Sequence, residues 1–235
     1  MSFVQKLLPA AAAILAFTAT PALADAIVFD STDVGVPQTL SYNGFTGDGT
    51  ISGLTASTTF TLTGISGNTY TFGYSVTNTS SAPITGSRVS SFAFNADPNI
   101  TGATSTGAFS YTTLNGTYPN GIGSVDVCFK DASTGACAGG GGGGLTLGQT
   151  GTGTFTLTFS QPVTSLTLSD FYVRYQSISG AGNVTSASGS GTQSSSGGTS
   201  VPEPGMLGLL GGALIATALL RRRRRREDDL KPAFA

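Results

Sequence analysis

The sequence predicts an all-β protein whose body is an antiparallel, jelly-roll-like β-sandwich. Residues 69–76 alternate Tyr, Phe, Tyr and Val with small or polar residues, which is the period of a strand with one buried face. The chain contains 34 glycines, and many of them lie with Asn, Asp and Ser between the apolar runs, as turn residues do. No segment of residues 25–200 shows a convincing helical period.

The strand signals continue through the body. We predict strands over residues 26–30, 58–62, 69–76, 89–94, 108–114, 124–130, 154–159, 163–168 and 170–175, with a short one at 145–147. Because each strand has one apolar face, each sheet should have a dry and a wet side. An open barrel is the nearest alternative to the sandwich. After Gln176 the aromatic residues end, so we place the β-domain at 25–180 and a flexible Gly/Ser/Thr-rich linker at 181–200, with one last edge strand before the linker as an alternative.

Residues 1–24 have the three parts of a secretory signal peptide. Lys6 supplies the positive start, residues 7–17 are apolar, and Ala22 and Ala24 fit the small residues of a cleavage site. A buried N-terminal helix is the alternative. We expect signal peptidase to cleave after Ala24 and release a body that begins at residue 25.

The charged residues are few and unevenly placed. They make up 10% of the chain, and its formal net charge is only −1. Between residues 25 and 200, three basic residues stand against eight Asp, so the body carries about −5 while most of the arginines lie in the tail. This mildly acidic body argues against nucleic-acid binding.

Two cysteines, Cys128 and Cys137, remain in the body after export. An even number of cysteines in an exported chain favours a disulfide bond. A metal site is the alternative, but the chain has no His and no Cys-x-x-Cys spacing.

Little in the sequence points to catalysis. Without His there is no Ser-His-Asp or Cys-His arrangement, and the eight Asp of the body lie mostly beside turn residues. We therefore expect no enzymatic activity and no cofactor. A Ca²⁺ site built from Asp126, Asp131 and loop carbonyls remains an alternative, although no Asp-x-Asp-x-Asp-Gly run exists.

Two loops invite a functional interpretation. Residues 139–144 are six consecutive glycines, which we interpret as a flexible loop; a phosphate-binding loop would need the Lys-Ser/Thr that is missing here. Tyr118-Pro119-Asn120-Gly121 could expose a Tyr to stack on a sugar ring, but a plain turn is the favoured interpretation.

The C-terminus has three parts in a fixed order. Pro202, Glu203 and Pro204 come first, and fifteen uncharged residues, 206–220, follow. As a helix these residues would span about 22 Å, which is short for a bilayer core of about 30 Å. A basic block that would stay on the cytoplasmic side closes the segment: Arg221, Arg222, Arg223, Arg224, Arg225 and Arg226.

This order over residues 201–226 resembles the PEP-CTERM sorting signal of Gram-negative bacteria. The resemblance implies recognition by an exosortase, an integral-membrane cysteine protease, and cleavage near Pro202-Glu203-Pro204. It also implies a transient anchor in the inner membrane through residues 206–220, followed by transfer to the cell surface or release. Residues 227–235 form a cytoplasmic tail that is somewhat long for this signal.

Two functions follow from these predictions. The first is an exported structural protein of the surface or extracellular matrix, which the resemblance associates with exopolysaccharide or biofilm. The alternative is a carbohydrate-binding surface module, with Ca²⁺ dependence as one version of it. The sequence names no ligand for either.

Overall fold

The structure is a computed structural model, and it describes residues 25–134, 136–140 and 142–193. The predicted signal peptide (1–24), apolar helix (206–220) and cytoplasmic tail (227–235) lie outside these residues. Within the described part of the chain, no helix is both long and apolar enough to span a membrane.

The described residues form an all-β domain with two short 3₁₀ helices, Ser31–Asp33 and Gly107–Phe109. The strands are β1 (Ile27–Phe29), β2 (Pro37–Thr46), β3 (Gly49–Ser66), β4 (Thr69–Asn78), β5 (Gly86–Asp97), β6 (Gly102–Ser105), β7 (Tyr111–Tyr118), β8 (Gly123–Lys130), β9 (Leu145–Thr146), β10 (Thr150–Thr158), β11 (Leu166–Ser179) and β12 (Ser186–Gln193).

All strands belong to one antiparallel sheet in the order β6-β10-β4-β3-β2-β12-β11-β5-β8-β7, with β1 on β11 and β9 on β5. The two edge strands, β6 and β7, follow each other in sequence and lie in contact, so the sheet is nearly closed. The all-β antiparallel prediction is confirmed. The jelly-roll-like sandwich is not confirmed, because strand pairing continues without a break from β6 to β7 and the strands do not divide into two separate sheets. This arrangement is nearer to the open barrel.

The inside of the curled sheet is an aromatic core. The predicted alternation in residues 69–76 is confirmed, since Tyr70, Phe72, Tyr74 and Val76 are all buried. Phe60 of β3 lies at the centre, with its ring centroid 5.6 to 6.0 Å from four other rings. These rings belong to β5, β10 and β11, so they reach Phe60 from neighbouring and opposite parts of the sheet. Packing of these aromatic rings therefore holds opposite parts of the curled sheet together.

On the outer face of the sheet, the neighbouring strands β2, β3, β4 and β10 carry hydroxyl side chains. Thr39 and Thr59 lie 2.9 Å apart between their oxygens, and Thr77 and Thr150 lie 2.8 Å apart. These are cross-strand pairs, in which Thr–Thr hydrogen bonds add modestly to sheet stability. This half of the sheet has the dry and the wet face that the sequence predicts.

Residues 186–193 are part of the sheet rather than of the predicted linker at 181–200. They form β12, which pairs with β11 on one side and with β2 on the other. The linker prediction is wrong for these eight residues. The sequence does not reveal this strand because β12 presents only Ala187, Gly189 and Gly191 to the core, so it lacks the alternation of large apolar residues that predicts a strand.

The glycine run has a structural role that the sequence does not predict. Added Cβ atoms at Gly139 and Gly144 would collide with the carbonyl oxygens of Ser90 and Val89 on β5, and both glycines have positive φ values, 73° and 81°. Gly139 and Gly144 therefore lie directly against β5, whereas Gly142 is exposed with open space at its Cβ position. Glycine is required at these two positions for close approach of two backbones. The described part of the run is a loop, as predicted, and its two ends pack against β5.

Candidate functional site

The domain brings together the points where the chain enters and leaves it. β1 pairs with residues 166–168 of β11, and β12 pairs with residues 172–176 along the same edge. The carboxylate of Asp25 accepts a hydrogen bond from the backbone N–H of Gln193. The first residue after the predicted signal-peptidase site therefore meets the last strand before the predicted sorting motif.

The predicted processing residues themselves lie outside the described residues. They are Ala22 and Ala24 at the signal-peptidase site, Pro202, Glu203 and Pro204 of the motif, and the block from Arg221 to Arg226. The described domain ends at Gln193, so eight residues separate it from Pro202.

Cys128 and Cys137 form the predicted disulfide bond, with a Cα–Cα distance of 5.7 Å. They pack with Ala93, Tyr118 and Val125 in a second apolar cluster, which lies on the side of β5 that faces away from the main core. The expectation of a wet outer face is therefore wrong for this part of the sheet. A loop after β8 and the turn after β7 cover it.

This covered layer contains two buried cations. Lys130 and Arg174 are 3% and 8% exposed. Both are cross-strand neighbours of Ser91 on β5, Lys130 from β8 on one side and Arg174 from β11 on the other. The ammonium of Lys130 donates to the carbonyl of Thr134, whereas Nε and Nη1 of Arg174 are buried without a partner among the described residues. Burial lowers the pKa of both groups.

The two aspartates proposed for Ca²⁺ are not brought together. Asp126 lies within β8 and Asp131 directly after it, five residues along the chain, which corresponds to about 16 Å in an extended strand. Asp131 instead organises the glycine loop, because its Oδ1 accepts the N–H of Gly140 at 2.6 Å. Burial raises the pKa of the Asp131 carboxyl. In the described ranges, no three His, Cys, Asp or Glu side chains form a group that could hold a metal.

The loop at Tyr118 is not a sugar-stacking platform. Tyr118 is only 1% exposed, and its hydroxyl lies 3.1 Å from Oγ of Ser91. Its ring lies 5.7 Å from that of Tyr172. The favoured interpretation as a turn is confirmed by the turn at residues 119–122, and the stacking alternative is excluded by burial.

A cleft of about 260 Å³ opens at the end of β5, where the two edges of the sheet approach each other. It is lined by Asn99, Ile100, Asn115 and Asp126. Asn99 and Ile100 belong to the loop from β5 to β6, and the other two residues face each other across β7 and β8. This cleft combines an acceptor carboxylate, two amides and one apolar wall.

Sequence reasoning missed the cleft. The sequence singles out neither Asn99 nor Asn115, and it indicates Asp126 only as a possible Ca²⁺ ligand. Asn115 has a φ of 50°, and the pairing of β7 with β8 is interrupted between Leu114 and Gly116. Asn115 directly follows the predicted strand 108–114, and an Asn at that place is a weak signal because Asn is common in turns.

Residues 200–225 match the family model of the PEP-CTERM protein-sorting motif. This match confirms the resemblance found in residues 201–226. It implies an exported protein that an exosortase sorts, with transient anchoring in the membrane before it reaches the surface. Comparison with curated proteins and with solved structures gave no match.

Proposed function

We propose that this chain is a structural protein of the cell surface or extracellular matrix, cleaved near Pro202-Glu203-Pro204 by an exosortase and associated with exopolysaccharide. The match at residues 200–225 carries the proposal, because it ties the chain to the sorting route. In the proposed order of events, signal peptidase acts after Ala24, and residues 206–220 hold the protein in the inner membrane. The arginine block keeps its tail on the cytoplasmic side.

The proposed role involves no enzymatic activity. In its support, the sequence has no His, so no Ser-His-Asp or Cys-His arrangement is available. The disulfide, the aromatic core and the hydroxyl-covered outer strands suit a domain that persists outside the cell.

Replacement of Pro202, Glu203 and Pro204 by Ala in the full chain tests the sorting step. We expect the variant to keep its tail and to stay in the membrane fraction, whereas the wild type reaches the surface. Pro162→Ala, at an exposed loop position, is the matched control and should be sorted normally. Normal processing of the triple variant would contradict the proposal.

A carbohydrate-binding module is the second candidate. The cleft at Asn99, Asn115 and Asp126 favours it, because amide and carboxylate groups are suited to hydroxyl groups of a sugar. The two candidates are compatible, since a structural protein of a polysaccharide matrix gains a fixed place there by binding the polymer.

A further inference from the structure

The cleft at the open side of the sheet holds a carboxylate in a fixed position. Oδ2 of Asp126 accepts the backbone N–H of Ala96 at 2.8 Å, and the backbone N–H of Asp126 donates to Oδ1 of Asn95 at 3.0 Å. The amide of Asn95 in turn donates to Asp170 at 3.0 Å. These contacts orient the carboxylate and leave its Oδ1 without a partner among the described residues, so one acceptor is available to a ligand.

Two side-chain amides stand beside this acceptor. Asn99 and Asn115 are exposed, and neither side chain makes a hydrogen bond within the described domain. Each amide offers two donors and one acceptor. The backbone of Asn115 is left-handed, which places a polar residue at a break in the pairing of β7 with β8, directly opposite Asp126.

The chemistry of the lining indicates the class of ligand. Neighbouring hydroxyl groups of a sugar both donate and accept, which matches a cleft lined by a carboxylate acceptor and two amides. Ile100 supplies an apolar wall, and the volume of about 260 Å³ is just below the range of about 300–1,000 Å³ for sites that hold drug-sized ligands, which fits a ligand as small as one sugar ring. An acidic sugar would bring its charge against Asp126 in a body of about −5.

We propose that this cleft binds a neutral sugar residue of a polysaccharide through Asn99, Asn115 and Asp126. The inference rests on the proposed association with exopolysaccharide and names the place and the chemistry of that contact. The carbohydrate would then bind at this cleft and not at the loop of Tyr118, which is buried.

The test uses the processed protein purified from the surface fraction, in gels that contain dextran, galactomannan or alginate. The double variant Asn99→Ala, Asn115→Gly removes both amides, and glycine tolerates the positive φ at position 115. We expect at least one neutral polymer to retard the wild type. The double variant should bind it about 10- to 30-fold more weakly, as expected for the loss of two neutral hydrogen bonds. Alginate should retard neither protein.

Asn120→Gly is the matched control. Asn120 also has a positive φ, 62°, but lies in the turn after β7, where its amide donates to Phe45. It should bind as the wild type does, and equal thermal unfolding of all three proteins excludes misfolding as the cause of weaker binding.

Retardation of the double variant equal to that of the wild type overturns the proposal, and so does a wild type that none of the neutral polymers retards. Either result leaves the proposed sorting intact if the protein reaches the surface without its tail. Failure of sorting is recognised separately, by an uncleaved tail in the surface fraction.

Discussion

Substitution of Gly191 by Ala should destabilise the domain, although Gly→Ala in a linker would not. Gly191 lies in β12, and an added Cβ would come within 2.8 Å of Cε1 of Tyr42 and 3.0 Å of Cβ of Phe171. Tyr42 cannot easily move, because it is 1% exposed and its hydroxyl lies 2.9 Å from that of Thr58. Overpacking of this kind costs about 1–3 kcal/mol.

The sign of the change in the free energy of unfolding distinguishes a strand from a linker at residues 186–193. In a linker, Gly→Ala would leave stability unchanged or raise it by about 0.4–1 kcal/mol through the unfolded chain. Gly64→Ala is the matched control, since Gly64 also lies in a strand but has open space at its Cβ position. Its effect should stay within about 0.5 kcal/mol.

The assay is denaturant unfolding of the processed protein, with the free energy of unfolding extrapolated to water. We expect Gly191→Ala to lower this free energy and Gly64→Ala to leave it nearly unchanged. Equal free energies for the two variants would refute the placement of β12 between β2 and β11.

Three further predictions concern stability. Replacing Cys128 and Cys137 by Ser should lower the free energy of unfolding by about 2–3 kcal/mol through loss of loop closure, and an unchanged value would contradict this. Burial raises the pKa of the Asp131 carboxyl, so the folded protein favours its protonated form. The contribution of this carboxyl to the free energy of unfolding is present below its pKa in the unfolded chain and is lost as the pH rises through its pKa in the folded protein. Asp131→Asn should therefore gain stability over the wild type at about pH 7 but not at about pH 3, and unfolding curves showing a gap independent of pH would exclude this cause. Phe60→Ala should cost about 3–5 kcal/mol, measured by the same unfolding, and a cost below about 1 kcal/mol would contradict its central place in the core.

Those parts of the fold in which side chains carry the signal could be predicted from the sequence. The aromatic alternation of residues 69–76 identifies β4, and the two cysteines identify the disulfide. Both signals depend only on local residue types. The motif at residues 200–225 is equally local, because the family model matches it as one continuous segment of the sequence.

The remaining features depend on contacts between distant segments. β12 is held by backbone pairing and by rings from β2 and β11, so its own residues, mostly Ser and Gly, give no pattern. Burial of Arg174 and Lys130 depends on a loop that folds over β5, which charge alone does not predict. The cleft likewise arises where the two sheet edges meet, and this joins Asn99 to Asp126 across different strands.

The intact mass of the protein from the surface fraction tests the central claim most directly, in cells with and without the exosortase. With the protease, the account predicts a chain that begins at Asp25, ends near Pro202-Glu203-Pro204 and contains a closed disulfide. Without it, the tail should remain attached and the protein should stay with the membrane. A surface form that keeps Arg221–Arg226 in cells that contain the exosortase would contradict the account.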